Sequence, residues 1–301
     1  MSTTKVKSKK KAAKIKKLPL IGPKSYFAKP WQDWLCIGLI AFLCYAPILQ
    51  NDFVGFDDPA LITNNPVVTD GDWSRVWTWG LYSPYYKPLV FTTWKIEKTL
   101  FGFNPFFFHL NNLLLHLFNC LMVYLIVGRL CQFWENSQRH QFAIAFWTSF
   151  AFALHPMHVE SVAWAVERKD VLFAAFFFVA WYCYMRYVES EKGKWMAWTV
   201  LAYLCSMLCK APGIMLVVIL FLYDFLAKRS WKGKLLIEKI PVMATSIFAL
   251  YYYGIFHKFS WYTRGASGGI TGEEAVGVGE IVESSSVLAQ LLWVNFKLLF
   301  W

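Results

Sequence analysis

Charge is scarce in this chain. Only 16% of its 301 residues are Asp, Glu, Lys or Arg, where a soluble domain carries about a quarter. Acids are scarcer than bases, 19 against 30, which leaves a net charge of +11. No C-x-x-C pair occurs. The cysteines, Cys36, Cys44, Cys120, Cys131, Cys183, Cys205 and Cys209, stand mostly inside apolar runs. That pattern excludes a disulfide frame or paired-cysteine zinc site and marks them as small buried hydrophobes. Internal repeats and coiled-coil heptads are also lacking. No small-residue cleavage site follows the first apolar run, and the Lys-rich leader before it is too long for a signal peptide. The run is therefore expected to stay as a helix.

What the chain has in abundance is apolar surface: 57% hydrophobic and 19% aromatic residues. The predicted fold class is an all-α polytopic membrane protein, a transmembrane bundle of about eight helices. A Lys-rich cytoplasmic tail is expected over 1–33 and a transmembrane domain over 34–301. The spans are read at about 34–51, 105–128, 141–156, 170–187, 195–210, 211–227, 240–257 and 285–301. A long first extracytoplasmic loop, 52–104, is expected to carry amphipathic interfacial helices around Trp73, Trp77 and Trp79.

The positive charge is distributed by side. Ten lysines lie between Lys5 and Lys29. With the N-terminus in the cytoplasm, the basic loops near 129–140, 186–194 and 228–239 share its side. The acids collect on the other, in 52–104, 155–170 and 257–284. One alternation accounts for every loop, as the positive-inside rule requires. Nucleic acid is accordingly not expected as a partner. The Gly-rich stretch 265–279 follows no strand, so it is not a phosphate-cradling loop. The runs around Lys210 and Asp224 are short. Thirteen residues at 1.5 Å each cover about 20 Å of a ~30 Å core, so these helices must extend past their charges. Lys210 is then either functional at membrane depth or snorkelling to the headgroups.

The outer side holds nearly all the chemically interesting polar groups. They are Asp57 and Asp58 with Asn64 and Asn65, Tyr86 with Lys87, His109, His155 and His158 with Glu160, Glu167 to Asp170, and Lys210. An enzyme acting on a lipid-linked substrate needs acids, bases and phosphate binders at that depth. In sugar transfer from a polyprenyl phosphate, a carboxylate takes the acceptor proton, and cations such as Arg168, Lys169 and Lys210 meet the charge growing on the leaving phosphate. Each group also has a plainer reading. Asp57 or Asp58 suits the N-cap of a helix opened by Pro59. Glu167 to Asp170 suits a salt-bridged interfacial turn, and His109 with His116 suits packing. His155, His158 and Glu160 lack the H-E-x-x-H register, so no metal is assigned; a divalent cation there is the minor reading.

NDFVGFDDPALITNNP, YYKPLVFTTWKIEKTLFGFNPFFFHLNNLLLHLFN, ALHPMHVESVAWAVERKDVLFA, LCKAPGIMLVVILFLYDF and WYTRG occur in this order. Together they closely resemble the membrane domain of the TMTC family, protein O-mannosyltransferases with transmembrane and tetratricopeptide repeats, and its bacterial relatives, within the GT-C glycosyltransferase superfamily. The resemblance covers about residues 40–301. It implies an inverting transfer of a sugar, typically mannose, from a polyprenyl-phosphate donor to a protein Ser or Thr hydroxyl. It also implies a catalytic Asp57 or Asp58, donor-phosphate contacts from Arg168, Lys169, Lys210 and Lys87, and a pocket of Asn64, Asn65, Tyr86, His109, His155, His158 and Glu160. The expected location is a bacterial inner membrane, or the endoplasmic reticulum membrane in a eukaryote. Two positions depart from the pattern: Lys87 replaces the usual Arg, and Ala211 the usual acid. The last apolar run reaches Trp301, so a C-terminally short form or a fragment of a longer transferase is expected. The competing reading is a non-catalytic scaffold or lipid-carrier binding protein. A transporter would show paired inverted halves, and none is visible.

Overall fold

The computed structural model describes residues 29–78, 87–230, 233, 235–249 and 251, and among them there is no strand. The chain is an all-α polytopic membrane protein. Its helices are α1 (Pro30–Tyr45), α2 (Pro66–Thr69), α3 (Arg75–Thr78), α4 (Pro88–Phe101), α5 (Pro105–Leu130), α6 (Glu135–Leu154), α7 (His158–Ala163), α8 (Arg168–Ser190), α9 (Gly193–Cys209) and α10 (Leu216–Leu226). A further helical segment occupies 235–249. Among the described residues, three stretches are long and apolar enough to cross a membrane: Trp31–Gln50, Pro105–Phe133 and Ala165–Ser190. The outward faces fit that solvent. Leu35, Leu39 and Leu43, spaced by one helical turn, are 55%, 55% and 62% exposed, a stripe that water would disfavour and lipid accepts.

Local signals set the helix ends. Asn104 accepts the Phe106 N–H at 3.1 Å ahead of Pro105, a polar cap followed by proline at the first position. α4 stops at Gly102, whose φ of +65° continues the chain at little steric cost. α8 packs along both α9 and α5, and α5 also packs along α6. Asn112 Nδ2 donates to the Trp164 carbonyl and Asn119 Nδ2 to the Val171 carbonyl, each at 2.9 Å. These interhelical bonds hold α5 to the start of α8 where no water can substitute.

Several expected boundaries move. The 34–51 run is helical from Pro30 and ends in a tight turn, Ala46–Gln50, so residues 30–33 of the expected tail belong to α1. The third span begins at Glu135 and ends at Leu154, and the fourth runs from Arg168 to Ser190. Arg168 to Asp170 is therefore the first turn of a spanning helix rather than a loop. The run 211–227 divides into a tight turn, Ala211–Met215, and α10. Within 52–104, α4 is more than an interfacial helix: Val90, Phe91, Trp94, Lys95 and Glu97 are all buried. Residues 1–28, the segment 252–257 of the seventh span, the eighth span and Trp79 lie outside the described residues. All seven cysteines are free, four of them buried.

The two ends of the bundle differ. At the end bearing Arg129, Arg186, Lys228 and Arg229, Asp224 is fully buried and bonds Tyr184, Arg229 and Lys239. The opposite end carries the acids, histidines and lysines singled out above.

Candidate functional site

The FDDP stretch follows α1 directly, and the structure separates its two acids. Asp58 is fully buried. One carboxylate oxygen accepts the Val54 N–H at 2.7 Å and the other the Val166 N–H at 3.1 Å. It occupies the N-cap position of the single wide turn Pro59–Thr63, but its side chain makes no cap bond there. Its carboxylate fastens the loop after α1 to the turn Ala165–Glu167 that leads into α8. Burial pushes the Asp58 carboxyl above the ordinary carboxylate value, against the opposing pull of the two N–H groups. Asp57 is only half-buried, and its carboxylate has no hydrogen bond or ion pair among the described residues. Phe56 lies against Trp164 with ring centroids 6.2 Å apart, which keeps this acid pair over the start of α8.

Asn65 is a helix cap. Its side-chain oxygen accepts the Val67 N–H at 2.9 Å and its amide donates to the Ala60 carbonyl at 3.2 Å. Asn64 is exposed beside it. Tyr86 lies outside the described residues.

Arg168 is committed within the protein. It is 1% exposed. Nε donates to Asn112, one terminal nitrogen to Glu97, and the other to the Phe108 carbonyl at 2.7 Å. Glu97 is itself buried, and Asn111 donates to the same oxygen at 2.7 Å. Burial pushes the Glu97 carboxyl up while the guanidinium pulls it down. The sequence reading passed over Glu97, although Val90, Trp94 and Glu97 recur at helical spacing on one face. Taken with the apolar flanks, that spacing was a usable signal for a buried α4.

The lysines converge elsewhere. Lys169 pairs with Glu167 at 2.5 Å, and Lys210 pairs with Asp170. Lys87 stands close enough to both lysines to feel them. Burial first, then the charges of Lys169 and Lys210, press its pKa down to about 8, with Glu167 and Asp170 opposing. Three lysines and two acids thus form one partly open cluster with a formal excess of one positive charge. Gly213 packs closely here. A Cβ at this position would lie 3.1 Å from Met207 Cγ and 3.2 Å from Ser206 Oγ, so any larger residue would crowd the 211–215 turn behind Lys210.

Asp170 and Lys210 also line one wall of a groove of about 250 Å³ between α5, α6, α7 and α8. Its other walls include Phe152, Phe173, Phe178, Asn119, His116 and His158. Asn119 Oδ1 is buried there without a hydrogen-bond partner. The histidines divide by position. His155 is exposed and its Nδ1 accepts the Met157 N–H at 3.2 Å. His158 is half-buried, 5.7 Å from the His116 ring and 5.8 Å from His155. Burial and the neighbouring His155 lower its pKa. His109 is fully buried with neither ring nitrogen hydrogen-bonded. Glu160 is exposed. Among the described residues, no group of three or more His, Cys, Asp or Glu side chains is arranged to hold a metal ion.

Comparison with known proteins agrees with the motif reading. The chain is 34% identical over 216 residues to the human protein O-mannosyl-transferase TMTC1, matching 64% of this chain and 23% of that protein. It is 29% identical over 220 residues to mouse protein O-mannosyl-transferase TMTC4, matching 65% of this chain and 30% of the relative. The Drosophila melanogaster protein O-mannosyl-transferase Tmtc3 is 29% identical over 221 residues, matching 64% and 24%. The chain thus spans about a quarter of the length of the curated relatives it matches. No protein-family model matches it, and no solved structure does.

Proposed function

We propose that this chain, similar over most of its length to the TMTC protein O-mannosyl-transferases, forms the membrane part of a GT-C glycosyltransferase. It moves a mannosyl group from a polyprenyl phosphate to a Ser or Thr hydroxyl of a protein, on the extracytoplasmic face of a membrane. The carrying observation is the lysine cluster of Lys87, Lys169 and Lys210 beside an apolar groove, at the same end of the bundle as an uncommitted carboxylate, Asp57.

The chemistry follows from charge. The donor phosphate bears one negative charge while bonded to the sugar and gains a second as the anomeric C–O bond breaks. A site holding excess positive charge stabilises that change more than it stabilises the bound donor, which is what lowers a barrier. Meanwhile the acceptor oxygen bonds to the anomeric carbon from the opposite face and gives up its proton. Asp57 takes it, because its carboxylate is open, whereas both oxygens of Asp58 hold backbone N–H groups. Attack opposite the leaving group inverts the anomeric centre. Arg168 supports the site from behind by fixing the first turn of α8 through Glu97 and Asn112. The phosphate contacts therefore fall to the three lysines. The prenyl chain occupies the groove walled by Phe152, Phe173 and Phe178.

The test uses the purified full chain, a synthetic polyprenyl phosphomannose and a Ser/Thr-rich peptide. Mannosylated peptide should form and should be lost in Asp57→Asn. Retained full activity in Asp57→Asn would exclude it as the base. Saturable donor binding without any glycan product would establish the non-catalytic reading instead.

A further inference from the structure

A second cavity lies at the other end of the bundle, among the basic loops. It measures about 130 Å³ and is lined by Tyr124, Gly128, Arg129, Gln132, Gln141 and Tyr182, together with the apolar Leu125, Phe142 and Ala145. Gln141 is 4% exposed, yet its Oε1 has no hydrogen-bond partner among the described residues. A buried amide oxygen without a donor is a costly arrangement that a bound donor relieves. Arg129 faces the same cavity, held by Glu189 and by the Tyr182 hydroxyl at 3.2 Å, with its guanidinium 4.8 Å from the Tyr182 ring centre. Glu189 is shared with Arg186 at 3.3 Å. Arg129 is the one charged side chain among the lining residues; Glu189 and Arg186 stand behind it, and buried Asp33 accepts the hydroxyl of Tyr124.

An apolar groove of about 350 Å³ lies deeper along α5, where α1 and α6 meet it. Leu35, Leu39, Leu117, Phe118 and Leu121 line it, with Ser149. On α5, Leu117, Leu121 and Leu125 are spaced by one turn. On α6 so are Ser149, Ala145 and Gln141. The two cavities therefore follow one another along the α5–α6 seam, polar toward the basic end and apolar toward the middle of the bundle.

We infer that this seam binds one phospholipid whose phosphodiester meets Arg129 and Tyr182 and whose headgroup hydroxyl donates to Gln141 Oε1. The lipid class follows from the groups present. The Arg129 guanidinium, which lines the cavity, suits an anionic phosphodiester. Glu189 is already shared between two arginines and Asp33 is fully buried behind Tyr124, so a headgroup ammonium finds no open acid. The unmatched Gln141 oxygen asks for a neutral donor, which a glycerol headgroup has and a choline headgroup lacks. Basic pockets between helices on the positive side of a membrane are suited to such headgroups. The inference does not rest on the proposed transferase reaction, since neither Arg129 nor Gln141 belongs to that site.

The experiment is native mass spectrometry of the purified full chain in detergent, titrated with short-chain phosphatidylglycerol. Matched phosphatidylcholine and inorganic phosphate serve as comparison probes. One phosphatidylglycerol per chain should be retained where phosphatidylcholine is not. Gln141→Leu should weaken that adduct roughly tenfold and Tyr182→Phe by a smaller factor, with helical circular dichroism unchanged. Equal retention of both lipids, unaltered binding by Gln141→Leu, or a cavity that takes up no saturable lipid would overturn the assignment. Displacement of the lipid by inorganic phosphate alone would reassign the site to free phosphate. If Gln141→Leu does not fold, Tyr182→Phe decides the question: unchanged phosphatidylglycerol binding in it overturns the assignment.

Discussion

The Asp58 carboxylate accepts the Val166 backbone N–H at 3.1 Å and so joins the loop after α1 to the turn that starts α8. Its other oxygen holds the Val54 N–H. Replacing Asp58 with Ala strands both donors, at about 1–3 kcal/mol each. The melting temperature of the detergent-solubilised protein should fall by several degrees. Asp57→Asn should leave that temperature unchanged while cutting mannosyl transfer by about 10²-fold or more. The reverse pattern, an unstable Asp57 variant and a stable Asp58 variant, would exchange the two roles.

The buried pair of Glu97 and Arg168 gives a second prediction. Glu97→Gln keeps the shape but leaves a desolvated guanidinium without its counter-charge, which typically costs about 3–5 kcal/mol. The double variant Glu97→Gln, Arg168→Gln removes both charges and should be less destabilised than the sum of the two single variants. Chemical denaturation of the four proteins measures the coupling directly. Strict additivity would mean that the pair does not act as a unit.

How much of this was readable from the chain depends on the level. The spanning helices were visible because lipid demands long apolar runs, and α5 was placed almost to the residue. Of the lysines the structure brings together, Lys169 and Lys210 stand out by residue type and Lys87 only through the family resemblance. What the chain did not disclose was burial. Arg168 and Lys169 are neighbours of the same charge sign, yet one is 1% exposed with its nitrogens engaged and the other stays partly open. Asp57 and Asp58 differ in the same way. Such distinctions depend on which neighbours each side chain meets, α4 for Arg168 and the Ala165–Glu167 turn for Asp58, and composition alone does not single out α4 as a buried helix. Asn65 also carried a structural signal. An asparagine directly before a proline is a cap signal, and the structure uses it as one.

Gly213 offers a third test. A methyl group there would meet Met207 and Ser206 inside ordinary contact distance. Gly213→Ala should therefore push the Ala211–Met215 turn, and Lys210 with it, away from α9. The overpacking should cost about 1–3 kcal/mol, and the KM for the lipid donor should rise more than kcat falls. An Ala variant with unchanged stability and an unchanged KM would show that the turn can yield without moving Lys210.

The last prediction concerns pH. Lys87 titrates near 8 in the folded protein, below its ordinary value of about 10.4. Between those values the unfolded chain holds a proton that the folded chain has released. This group therefore makes the protein more stable as pH rises from about 8 to about 10, and below 8 it contributes no slope. Donor binding has the opposite sign. An anionic phosphate favours the charged lysine, so the KM for the polyprenyl donor should rise once the pH passes 8. Lys87→Arg keeps its charge throughout this range and should hold KM flat to pH 10. Lys87→Met should bind the donor weakly at every pH. Initial rates between pH 6.5 and 10 on the three proteins separate these cases. A wild-type KM independent of pH would remove Lys87 from the phosphate site.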